Sequence, residues 1–291
     1  MNQSLGVDIG GTKIQFCAID AELRATPLGM TPTALMRRGT TAFASDLAAL
    51  IRAMCPPDAE RIGLSLNGIL DGGHVVYSSL MGGRVGFPLE TFLREQLRLP
   101  VFVDDDIHAM AIAEASLGAG RNGGPFAMLN LGTGIGVGVF ENGRVLRGAY
   151  AAGLISEQTL YVEELGSYRS LDRTVCGRGL REVYAEIAGE TADAVTIFER
   201  FRTGEPAAAE TIAIFSRYLG EAMQLISRFY HPARIVLNGS IKRAADVFLN
   251  PALQRYHSGL EQSFRAEIIV SDLEHAAELG TLAGRELKGP Q

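Results

Sequence analysis

Between Leu5 and Asp20 the chain reads Leu-Gly-Val-Asp-Ile-Gly-Gly-Thr-Lys-Ile-Gln-Phe-Cys-Ala-Ile-Asp, two short β-rich runs around a Gly-Gly-Thr turn. Ile14, Phe16 and Ala18 alternate with other residues, so the second run is a strand and the segment predicts a hairpin. The same grammar returns at Ala127–Asn142, where Leu131-Gly-Thr-Gly-Ile-Gly136 joins two apolar runs. Asn130 lies 122 residues beyond Asp8, and Gly132 lies 122 beyond Gly10. The pattern predicts one internal repeat, a duplicated phosphate-gripping hairpin.

Apolar periodicity places helices at 41–55, 88–96, 108–117, 179–187, 192–201, 207–229 and 276–287, and strands at 61–66, 100–103, 234–238 and 267–271. Asp104, Asp105 and Asp106 precede the Ala-rich helix at 108, where carboxylates cap free N–H groups and suit the helix dipole. The stretch 148–173 has little periodicity and is expected to be a long functional loop region.

A chain of 291 residues predicts about two domains and buries roughly 75% of its unfolded surface. With 47% hydrophobic and 21% charged residues it has an ordinary globular composition, which excludes fibrous and low-complexity classes. The net charge is −6 and the basic residues form no patch, so nucleic acid is not an expected partner. Cys17, Cys55 and Cys176 are odd in number and far apart, which fits a reducing cytoplasm. No signal peptide is expected, and no apolar run approaches the roughly 20 residues of a membrane span.

Gly118-Ala-Gly-Arg-Asn-Gly123 matches G-x-G-x-x-G but follows a helix, so it is expected to end that helix and not to bind a dinucleotide. No P-loop pattern occurs. What remains are Gly-rich hairpin turns, whose bared N–H groups can close on phosphate oxygens, together with Asn238-Gly239-Ser240. An aspartate that follows a strand and opens a helix is well placed to take a proton from an acceptor hydroxyl.

Asp8-Ile-Gly-Gly-Thr-Lys13, Leu131-Gly-Thr-Gly-Ile-Gly136, Val236-Leu-Asn-Gly-Ser240 and Glu278-Leu-Gly-Thr281 resemble the successive signatures of the ROK (repressor, open reading frame, kinase) family within the actin-like ATPase superfamily. The resemblance runs from Leu5 to Gly284. It implies two α/β domains of the duplicated actin-like (ribonuclease H-like) type, residues 1–106 plus about 275–291 and residues 107–274, with a nucleotide and sugar cleft between them. Because the phosphate motif begins at Leu5, the kinase branch is expected over the repressors, whose helix-turn-helix domain precedes this core.

The resemblance implies ATP and Mg²⁺ as cofactors and a homodimer as the assembly. It assigns Asp8 to ordering Mg²⁺ through water, and Gly10, Gly11, Thr12, Lys13 and Gly132-Thr133-Gly134 to the phosphates. Gly239 and Ser240 flank the nucleotide in that reading, and Asp106 is the catalytic base. Asn67, Gly68, Asp105, Asp106, Glu157 and Asp172 are the expected sugar contacts. Asp105 stands where the family has an amide, and Leu154 and Glu157 stand where it has Glu and His. The zinc signature falls on 163–172, where Glu163, Leu165 and Ser170 replace cysteines, so the protein is expected to hold no zinc. Cys176 is expected in the core and His108 on a helix surface.

The expected activity is ATP-dependent phosphorylation of the 6-hydroxyl of a glucose-type hexose. The added acids favour an amino sugar, 3-amino-3-deoxyglucose (kanosamine) first and glucosamine second. A relaxed glucokinase, a cyclitol kinase, a polyphosphate-dependent kinase and a non-catalytic sugar sensor are the alternatives.

Overall fold

A computed structural model of the chain describes residues 3–121 and 123–286. The chain divides into two units: Met1–Arg121 with Arg144–Ala151 and Leu273–Gln291, and Asn122–Gly143 with Ala152–Asp272. Among the described residues no helix is long and apolar enough to cross a membrane.

The first unit is built on a five-stranded sheet in the order Ala25–Pro32, Lys13–Ile19, Gln3–Ile9, Ala59–Leu66, Val101–Asp105. The first three strands are antiparallel and the last two run parallel to Gln3–Ile9. Alternation decides the faces. Leu5, Val7, Ile9, Ile62, Leu64 and Leu66 share one core with Phe43, Leu47 and Ile51 of helix Thr40–Met54 and with Leu89 and Leu93 of helix Leu89–Leu97. At Gly6 and Gly63 the sheet has no side chain, and there helix Ala276–Glu286 closes in. A Cβ on Gly6 would lie 2.6 Å from the Glu278 carbonyl oxygen, and one on Gly63 would lie 2.3 Å from Thr281 Oγ1.

The second unit repeats the plan. Its strands run in the order Ile135–Glu141, Phe126–Leu131, Arg234–Asn238, Glu267–Val270, the first pair antiparallel and the rest parallel. Helices Gly177–Ala188, Ala194–Arg202, Pro206–Tyr230 and Ala245–Ser258 cover it around Tyr184, Phe215, Tyr218, Phe248 and Tyr256. Each hairpin turn is closed by one bond, from Gly10 N–H to the Lys13 carbonyl and from Gly132 N–H to the Gly134 carbonyl, both 3.0 Å. Ile9 pairs with Ile14 and Leu131 with Ile135, so the second turn is one residue shorter.

Several elements differ from expectation. Helix Asp106–Ser116 belongs to the first unit, so the division falls at 121 and not at 106. It packs along Ala276–Glu286, where a Cβ on Gly280 would come within 1.8 Å of the Ala109 carbonyl oxygen. Leu287 and the end of the expected 275–291 segment lie outside the described residues. The stretch 148–173 is not one loop, because Thr159–Val162 and Ser167–Ser170 form an antiparallel pair with Tyr161 edge-on to Tyr168. Strand Ala25–Pro32 carries Pro27, Gly29 and Pro32, residues tolerated at a sheet edge but not typical of strands. Helix Ala245–Ser258 contains Pro251, which hides its periodicity.

The Gly280 crossing makes a direct prediction. Gly280→Ala is expected to cost about 1–3 kcal/mol through overpacking, although alanine is the better helix former. Denaturant unfolding checks it, and unchanged stability would show that the two helices can part without cost.

Candidate active site

In the first unit, polar side chains gather where the parallel strands end. Asp8 sits opposite Ser65 in register, and Ser65 Oγ donates to Asp8 Oδ1 at 2.7 Å. Asn67 follows strand Ala59–Leu66, and its N–H donates to the Ile9 carbonyl at 2.9 Å. Its own carbonyl accepts from Ser78 Oγ at 2.9 Å, on the small sheet Ile69–Asp71, His74–Ser78, Gly83–Phe87. Gly68 admits the Tyr77 carbonyl, 2.5 Å from where a Cβ would stand. So held, Asn67 Nδ2 donates to Asp106 Oδ2 at 3.3 Å.

Asp106 begins helix Asp106–Ser116 and is half-buried. Desolvation first, then the charge of Asp105, pushes its carboxyl up to about 6. Asp8 is also half-buried, and desolvation, Glu278 and Asp106 push it up to about 7 against the Ser65 bond that lowers it. Crowded oxygen donors of one sign suit a hard divalent cation, so this set fits Mg²⁺.

Asp105 behaves differently from the expected sugar ligand. Its Oδ1 caps the helix by accepting from His108 N–H at 2.8 Å, and its Oδ2 lies against His108 Nδ1. His108, expected at the surface, is 2% exposed, because the cap draws its ring in beneath the first turn. Arg147 grips Asp104 with bonds of 2.7 and 2.5 Å and reaches His108 Nδ1 at 3.1 Å. An exposed guanidinium and a buried imidazole therefore both face the acids.

The two Gly turns are braced from behind. In the first unit Thr33 Oγ1 donates to the Gly10 carbonyl at 2.8 Å and Thr33 N–H to the Thr12 carbonyl at 3.0 Å. Gly11, Thr12 and Lys13 are exposed. In the second unit Gly177 and Arg178, opening helix Gly177–Ala188, donate N–H to the carbonyls of Gly132 and Thr133 at 2.9 and 3.1 Å. Asp172 accepts from Ile135 N–H at 3.2 Å and from Arg178 at 2.5 Å. Asp172 thus braces the Gly132–Gly134 turn. Gly239 has φ +91°, and a Cβ there would lie 2.4 Å from Asn130 Oδ1; Ser240 starts the short turn Ser240–Ala244.

Glu157 is exposed and lines a cavity of about 410 Å³ with Leu154, Phe229 and Tyr230. At the positions compared with the zinc signature, Glu163 and Glu164 pair with Arg217 at 2.7 and 3.0 Å, while Leu165 packs against the core. Cys176 is buried, as expected, and its thiol donates to the Asp172 carbonyl at 2.8 Å. Ser65, Thr33, Arg147 and Arg178 carry no motif. Only the pairing and caps within each unit place the first three beside Asp8, the first turn and the acids, and Arg178 beside the second turn.

The ROK family model matches residues 4–284. A glucokinase from Halalkalibacterium halodurans is 26% identical over 281 residues, covering 87% of this chain and 85% of that one. An N-acetylgalactosamine kinase from Shewanella sp. is 30% identical over 261 residues, 83% of each chain. Among solved structures, a ROK family glucokinase from Streptomyces griseus in complex with glucose and AMPPNP superposes with a TM-score of 0.81 at 21% identity, covering 98% of this chain and 99% of that one.

Proposed function

The chain belongs to the ROK family, and from that premise we propose that it is an ATP-dependent sugar kinase transferring the γ-phosphoryl group to the 6-hydroxyl of a glucose-type hexose. The observation that carries this reading is Asp106, which opens a helix after a parallel strand, is held by Asn67, and has its carboxyl raised towards neutrality. Such a group takes the hydroxyl proton as the oxygen attacks phosphorus, without holding it too weakly or too tightly. Phosphoryl transfer otherwise demands positioning and charge neutralisation. The N–H groups of Gly11 and Thr12 in one turn and of Thr133 and Gly134 in the other supply donors for phosphate oxygens, each from its own unit, and Gly239 and Ser240 supply backbone beside the nucleotide. A Mg²⁺ bound near Asp8 would neutralise phosphate charge. An ADP-release assay over a panel of free, amino and N-acetylated hexoses tests the reading. Failure to consume ATP with any of them would sink it in favour of sugar sensing.

The finer reading is an amine-bearing acceptor, 3-amino-3-deoxyglucose before glucosamine. It is supported by Asp105, a carboxylate that adds its field to Asp106 where the family presents an amide. Arg147 offsets part of that charge, so a preference of about tenfold over glucose is expected, well below the ~10⁴-fold of a site whose unpaired buried groups reject the wrong substrate. Asp105→Asn should shift kcat/KM towards glucose. A wild-type preference for glucose, or an unmoved ratio in the variant, refutes the amine.

A further inference from the structure

Next to Asp8, whose carboxyl Glu278 helps to raise, the first unit brings together three side chains of different types. Cys17 lies in strand Lys13–Ile19, His275 just before helix Ala276–Glu286, and Glu278 in the first turn of that helix. Cys17 Sγ is 3.5 Å from His275 Nδ1 and 4.0 Å from Glu278 Oε1, and His275 Nδ1 is 3.4 Å from Glu278 Oε1. We propose that these three residues bind a borderline-soft divalent cation, Zn²⁺ by preference, through one sulfur, one nitrogen and one oxygen with a water in the fourth position.

The edges of the triangle carry the argument. Tetrahedral zinc with bonds of about 2.3 Å to sulfur and about 2.0–2.2 Å to nitrogen and oxygen sets its ligand atoms roughly 3.3–3.6 Å apart. Two of the three edges already fall there, and the third closes with a small turn of the Glu278 side chain. Each ligand sits on a firm support. Cys17 is paired to Gly6 on one side and Pro27 on the other, and Gly6 lets the helix backbone that carries Glu278 approach the sheet. His275 holds φ at +57°, an uncommon conformation for a residue with a side chain, of the kind that accumulates where geometry serves a site. Cys17 is fully buried, whereas the His275 side chain is 22% exposed and offers the path of entry. The Gln15 amide, 3.1 Å from Nδ1, lies within reach of a bound water.

The donor set selects among cations. A thiolate and an imidazole do not suit Mg²⁺ or Ca²⁺, which take oxygen, but suit Zn²⁺ and its substitute Co²⁺. The expectation of a zinc-free chain rested on the missing ligands at Glu163–Ser170 in the other unit, and this triad departs from it. The second group of this kind, Asp104, Asp105 and His108, already holds the guanidinium of Arg147. Bound at Cys17, His275 and Glu278, the ion would tie the last helix to the first sheet, and its affinity would add to stability.

The test uses the full chain stripped by a chelator and titrated with Co²⁺ alone, then with Zn²⁺ in competition. Wild type and a Cys55→Ser, Cys176→Ser double variant should both show a near-ultraviolet thiolate-to-cobalt band, and Zn²⁺ should raise their melting temperature. Cys17→Ser should lose the band, and its Zn²⁺ affinity should fall by at least about 100-fold. His275→Asn, on the more exposed ligand, should weaken Zn²⁺ by a similar factor and serves if the cysteine variant does not fold. No band in folded wild type, a band that survives Cys17→Ser, or undiminished affinity in His275→Asn would overturn the proposal.

Discussion

Replacing Asp106 by asparagine is expected to lower kcat by about 10²-fold or more while nucleotide binding persists, and at the same time to raise thermal stability. The activity follows from losing the proton acceptor at a position Asn67 can still hold through its amide. The stability follows from the raised carboxyl. Its ordinary value is 3.8 and in the fold it lies at about 6. The native state therefore binds more protons than the unfolded chain between those values, and stability falls as pH rises through that window. Above it the full cost of holding the charge is present. Solvent at the rim of Asp106 reduces that cost to about 1 kcal/mol, a few degrees in Tm. The gain from Asp106→Asn should be clear at pH 8 and nearly absent at pH 4. In the wild type, kcat/KM should fall about tenfold per pH unit below about 6 as the base is protonated. Near-normal turnover in the variant, or equal Tm gains at both pH values, would remove Asp106 from the role of base.

The parts of this site that were legible beforehand are the ones that local chemistry dictates. A Gly-Gly-Thr between alternating apolar runs can hardly be anything but a hairpin turn, and its second copy at Gly132 announced the duplicated plan of the two units. Three aspartates before an Ala-rich run mark a helix start, and Asp105 caps it. What stayed hidden depends on distant strands. Nothing near Asp105 foretells that Arg147, 42 positions on, reaches the acids, or that His108 turns inward. Asp172 carries a carboxylate compatible with a sugar contact, yet its partners Ile135 and Arg178 make it a brace for the Gly132–Gly134 turn. Helix 245–258 and the strands between 69 and 87 were obscured by proline and glycine, whose local preferences the surrounding core overrides.

Valine at Gly10 or at Gly132 is expected to weaken nucleotide binding by at least about 100-fold with little change in stability, and the structure explains why the two effects separate. Neither glycine holds a positive φ, so a side chain costs the backbone nothing there. A Cβ on Gly10 first meets the Lys13 carbonyl oxygen at 3.4 Å, and one on Gly132 meets the Asn130 amide at 3.5 Å, both ordinary contacts. The fold thus leaves room for a side chain at both turns. On the proposed function, a branched side chain would fill the open space in front of the turn, where phosphate oxygens would come within about 3 Å of N–H groups. Gly239 is the internal contrast. Its φ of +91° and the 2.4 Å approach to Asn130 Oδ1 tie it to the backbone itself, so Gly239→Val should unfold the second unit before any question of binding arises. Calorimetric titration with a non-hydrolysable ATP analogue, paired with melting curves, reads both quantities. If Gly10→Val and Gly132→Val fold normally and still bind the analogue, the two hairpins are structural echoes and not a phosphate grip. If only one of them loses affinity, the duplicated turns do not share the work.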